Sequence, residues 1–122
     1  MLAWGRFFCY DMPKGGIYVV YNKLVRDRIP EIIAQSGGTA EIRILDEEEF
    51  LTCLEAKLDE ETAEFHRDKT AEELADILEV VFALASAMGC DREELMEICR
   101  QKHTRRGGFE KKILLIASEN KK

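Results

Sequence analysis

The sequence predicts an all-α fold, a helical bundle of about four helices completed by oligomerisation, and three observations predict it. Asp46/Glu49, Thr70/Glu73 and Asp91/Glu94 each place a capping residue three positions before a glutamate, the spacing of a capping box that opens a helix. Leu51, Leu54, Leu58, Glu61 and Phe65 recur at steps of three and four, the stripe of an amphipathic helix. In ILEVVFALASAM (77–88) only Glu79 and Ser86 are polar, and a helix apolar most of the way round is buried on more than one side. Three or four helices in one small chain struggle to cover such a helix, and a second copy, most often related by a two-fold axis, is the natural remedy.

Taken in order, residues 1–21 read as an N-terminal arm and residues 22–122 as the helical domain. The arm holds six of the ten aromatics, and Arg6, Asp11 and Lys14 interrupt its apolar stretches, which argues against a signal peptide. IYVVY (17–21) is expected as a short strand, and Met12 offers an alternative start. Pro30 suits the first turn of a helix to about Ser36, stopped by Gly37-Gly38. AEIRIL (40–45) alternates weakly and reads as extended. Long helices then run from Asp46 to about Arg67, from Thr70 to before Gly89, and from Asp91 to about Arg106. Gly107-Gly108 breaks the chain, and Phe109 to Ile116 is expected to pack as a last short segment.

A chain of 122 residues is one domain large enough to bury a core. Its net charge of -6 argues against nucleic acid as a partner, since such scaffolds are normally basic. A small anionic ligand remains compatible where a divalent cation inverts the local field. The four cysteines, Cys9, Cys53, Cys90 and Cys99, form no CxxC pair, so zinc and redox motifs are unsupported. They read as free thiols of a reducing cytoplasm, with Cys53 and Cys99 as small core residues. No apolar run reaches the roughly 20 residues that span a bilayer, so no membrane partner is expected.

Glu61 sits inside an apolar stripe, where a lone carboxylate costs far more than an apolar contact returns. Glu61 and Glu64 share one helix face, as do Glu73 and Asp76 on the next helix. The two pairs are symmetric about the turn between Asp68 and Lys69, so in an antiparallel hairpin Glu64 faces Glu73 and Glu61 faces Asp76. Four like charges repel unless protonated or neutralised, and a hard divalent ion, Mg²⁺ with Mn²⁺ as the alternative, is the economical solution. Duller explanations stand beside this one. Glu73 also fits as the capping partner of Thr70, Glu64 and Asp76 also fit a solvated face, and ExxE recurs at Glu94/Glu97. His66 and His103 complete no Glu-x-x-His pair, so a di-iron centre is unsupported.

ETAE (61–64) followed by ELAD (73–76) resembles the ExxE…ExxD signature of the all-α MazG-like nucleoside triphosphate pyrophosphohydrolases. NKLVRDRIPEII (22–33) and KHTRRGGFEKKILL (102–115) extend the likeness to the small phosphoribosyl-ATP-pyrophosphohydrolase-like house-cleaning proteins, over roughly residues 22–116. The resemblance implies a Mg²⁺-dependent enzyme whose substrate is a nucleotide. Water attacks the α-phosphorus of a ribo- or deoxyribonucleoside triphosphate to give a monophosphate and pyrophosphate. It makes Glu61, Glu64, Glu73 and Asp76 the metal ligands, with Glu61, Glu64 or the adjacent Glu60 as candidates to orient the water. Lys102, Arg105 and Arg106 are expected to hold phosphate, or else to complement a helix dipole. Lys57, one turn before Glu61, is either a phosphate ligand or an ion-pair partner of Glu61 or Glu64. Arg26 and Asp27 lie in the matched segment with no role assigned.

Two departures qualify the likeness. Eight residues separate Glu64 from Glu73, fewer than in typical MazG proteins, which reduces any lid inserted there. Ile77-Leu78-Glu79-Val80 stands where phosphoribosyl-ATP enzymes carry a Tyr-His pair. The competing readings are a phosphoribosyl-ATP or modified-nucleotide pyrophosphohydrolase, and a non-catalytic helical interaction module.

Overall fold

The computed structural model describes residues 8–11 and 17–121. Residues 1–7 and 12–16 of the expected arm, Met12 among them, lie outside the described residues. The strand expected in IYVVY is present as β2 (Ile17–Val20), and it pairs antiparallel with β1 (Phe8–Asp11), Cys9 opposite Val19. Tyr18 Oη donates to Glu41 Oε1 at 3.1 Å, tying this ribbon to the loop before the long helices.

Helix α1 (Ile29–Gln35) carries Pro30 in its first turn, where the missing N–H costs nothing. Gly37 ends it at φ +91°, a conformation that favours glycine. Residues 40–45 form no strand, contrary to the weak alternation; Arg43 instead turns back and grips both oxygens of Glu49 at 3.0 Å. That bond holds the Glu49 carboxyl below its ordinary range.

Asp46 and Glu49 then form the capping box that opens α2 (Glu47–Asp68). Lys69, at φ +53°, closes it by turning the chain left-handed, with its N–H on Phe65 O at 2.7 Å. Only Lys69 and Thr70 separate α2 from α3 (Ala71–Ala87), so the two helices form a tight hairpin. Asp91 and Glu94 form the second complete capping box and open α4 (Arg92–Arg106). All four helices lie within a residue or two of the expected boundaries, α1 from its proline and glycines and the other three from their capping signals.

Helices α2 and α3 make the principal packing, and α4 leans on α3. The Arg92 guanidinium lies 3.8 Å over the Phe82 ring, covering that seam. Among the described residues the buried apolar side chains are Leu54, Val80 and Ala85, and the buried charged one is Glu61. Leu74 and Leu78 of α3 are half exposed. Two expectations are corrected here. Phe109, at 95% exposure, and Ile113 to Ile116 do not pack as a final segment. Cys99 is exposed rather than a core residue, while Cys53 is half-buried. Among the described residues no helix is long and apolar enough to cross a membrane.

Candidate metal centre

The hairpin brings Glu61, Glu64, Glu73 and Asp76 together, each offering one carboxylate oxygen, all within 4.8 Å of one another. The tight turn at Lys69 sets this register, since residues equidistant from it must face each other. Glu61 is 7% exposed and the other three are half-buried. Burial and then the neighbouring Glu64 carboxylate push the Glu61 carboxyl above its ordinary range, while Lys57 pulls it down.

Glu73 decides between capping and clustering. Thr70 Oγ1 accepts from the Glu73 N–H at 3.3 Å, but the return bond from the Glu73 side chain is absent, unlike at Asp46 and Asp91. Among the described residues, Glu73 Oε2 is buried without a hydrogen-bond partner, and so is Glu61 Oε2. An unsatisfied buried carboxylate oxygen costs at least about 1–3 kcal/mol, a cost that a bound cation would offset. The donors are all hard oxygens, which suit Mg²⁺ or Mn²⁺. Their 4.8 Å spread is close to the roughly 4.2 Å between opposite oxygens around Mg²⁺. The residues present therefore fit a divalent ion.

The surrounding cations are arranged differently from the expectation. Lys57 Nζ pairs with Glu61 Oε1 at 3.3 Å and Glu60 Oε2 at 3.4 Å, the ion-pair alternative. Glu60 is further engaged by Lys23 Nζ at 3.4 Å. Lys102, Arg105 and Arg106 are exposed on the last turns of α4 and form no ion pair among the described residues. Arg26, which sequence reasoning left without a role, donates from Nη2 to Asp76 Oδ1 at 2.6 Å. That contact spans 50 positions and Lys23–Glu60 spans 37, so no helical spacing signals either one.

The remaining thiols do not join this site. Cys53, Cys90 and Cys99 are free, and burial with Glu94 and Asp91 nearby pushes the Cys90 thiol above its ordinary range.

No protein-family model matches the chain, and no solved structure matches it. The chain is similar to a protein of Mycolicibacterium smegmatis (strain ATCC 700084 / mc(2)155) described as uncharacterized, 54% identical over 48 residues. The match covers 39% of this chain and 49% of the relative, so it spans about half of that protein's length.

Proposed function

We propose that the chain is a Mg²⁺-dependent nucleotide pyrophosphohydrolase of the MazG-like kind. It cleaves the α–β phosphoanhydride of ribo- or deoxyribonucleoside triphosphates to a monophosphate and pyrophosphate. The observation that supports this is the meeting of four carboxylates across one hairpin, two of their oxygens buried and unsatisfied. A divalent ion held there supplies charge neutralisation along the phosphate chain and acidifies water.

The chain's own residues hold and orient. Glu61, Glu64, Glu73 and Asp76 hold the cation, fixed in position by the two-residue turn between α2 and α3. Of the candidates to orient water, Glu60 is ion-paired with Lys23 and Lys57 and Glu61 with Lys57, whereas Glu64 forms no ion pair among the described residues. Lys102, Arg105 and Arg106, paired with no carboxylate among the described residues, are available for phosphate. The half-exposed Leu74 and Leu78 and the exposed Ile113 to Ile116 support a homo-oligomer. Free thiols accord with a cytoplasmic location.

The test is pyrophosphate release from a panel of ribo- and deoxyribonucleoside triphosphates with Mg²⁺, with Mn²⁺ and with EDTA. Pyrophosphate that EDTA abolishes is the expected result. Silence across this panel and across phosphoribosyl-ATP and modified nucleotides would overturn the reading in favour of a non-catalytic helical module.

A further inference from the structure

Besides Lys57 of α2, two basic residues beside the acidic cluster come from the segment joining β2 to α1. Asn22, at φ +46°, turns the chain into it. The Ile29 N–H on Arg26 O at 3.0 Å anchors its far end. Between these points Lys23 takes Glu60 and Arg26 takes Asp76. The four clustered carboxylates (Glu61, Glu64, Glu73 and Asp76) and the neighbouring Glu60 then make five acids beside three cations (Lys23, Arg26 and Lys57). Two negative charges remain, the charge of one divalent ion. Glu61 is more than nine-tenths buried, and its Oε2 has no hydrogen-bond partner among the described residues.

The three cations are not equivalent. The side chains of Lys23 and Lys57 are 23% and 16% exposed, whereas that of Arg26 is 55% exposed and makes one hydrogen bond. A guanidinium has five N–H donors in a planar fork that matches phosphate oxygens. A half-exposed ion pair is weak and exchanges readily.

Resting on the metal-site reading above, we propose that Arg26 is an exchangeable counter-ion. It holds Asp76 while no cation is bound and passes to the phosphate chain of the nucleotide once a divalent ion takes that carboxylate. Arg26 is thus a positioning residue in the empty protein and a phosphate ligand in the loaded one. Lys23 and Lys57 stay on Glu60 throughout.

The exchange predicts effects of opposite sign, read without turnover. Calorimetric titration of the full chain with Mn²⁺ alone is followed by titration, at saturating Mn²⁺, with a triphosphate whose α–β bridge is a methylene. Arg26→Gln binds Mn²⁺ about two- to fivefold more tightly, because a competing charge is gone. It binds the analogue roughly tenfold more weakly, because a charge-assisted bond is lost. Losses in both titrations would reveal a merely structural role and overturn the proposal, as would no change in either. Arg26→Lys keeps the charge and loses the fork. If Arg26→Gln gives no cooperative melt, weaker analogue binding by Arg26→Lys at unchanged Mn²⁺ affinity supports the proposal, and unchanged analogue binding overturns it. A wild-type chain with no saturable Mn²⁺ site overturns the metal reading and the exchange together. A wild-type chain that binds Mn²⁺ as Arg26→Gln does overturns the exchange alone.

Discussion

The α2–α3 hairpin and the stretch after α4 violate the usual rule of burial in opposite directions. The hairpin buries Glu61 and leaves carboxylate oxygens unsatisfied inside it. The stretch from Phe109 to Ile116 leaves a phenylalanine, two leucines and two isoleucines in water. Each departure costs free energy in the isolated chain. On the proposed reading a cation would relieve the first and apolar cover from a second copy the second, so the two can be tested separately.

The largest effect is expected in the hairpin. Glu61→Gln and Asp76→Asn each lower pyrophosphate release by at least about 100-fold, while circular dichroism and sedimentation stay as in the wild type. Full activity in both variants would sink the site assignment.

The apolar side of the comparison comes next. Leu78→Asp, placing a charge on the half-exposed face of α3, is expected to reduce the sedimenting species to a monomer. Wild-type protein that already sediments as a monomer would instead make these faces ordinary surface.

These two predictions rest on features that the sequence reveals unequally. Capping chemistry is local, so Asp46/Glu49 and Asp91/Glu94 announce their helices and the boxes form as spaced. The carboxylate constellation is legible for the same reason, because a two-residue turn makes register a matter of counting. Arg26 and Lys23 were invisible as partners of the cluster, because a loop's path carries no period. The tail misled in another way. FEKKILLI has the apolar content of a packing segment, but content does not say whether the surface that receives it belongs to the same chain.

A pH comparison sharpens the hairpin argument. The folded-state Glu61 carboxyl lies above its ordinary range, chiefly through burial. Folding therefore favours its protonated form, and its ionisation destabilises the fold as pH rises through the folded-state value. With EDTA present, Glu61→Gln is expected to melt above the wild type at pH 7 to 8. That advantage should shrink as pH falls toward the ordinary glutamate range near 4.5. A melting difference that does not vary with pH would mean that Glu61 is not the strained group.

The smallest effect lies outside both regions. Asp91→Ala removes the cap of α4 and is expected to cost about 1 kcal/mol in denaturant unfolding, leaving pyrophosphate release unchanged. A large loss of activity there would mean that this cap positions the basic end of α4 as well as stabilising the helix.

Equilibrium binding of Mn²⁺ decides whether the buried acid of the hairpin is built for a cation. Wild-type protein should show one saturable site, and Glu73→Gln, which removes one of the two unsatisfied carboxylate oxygens, should weaken it at least about tenfold. Identical binding by wild type and Glu73→Gln, or no saturable binding by either, would contradict the account.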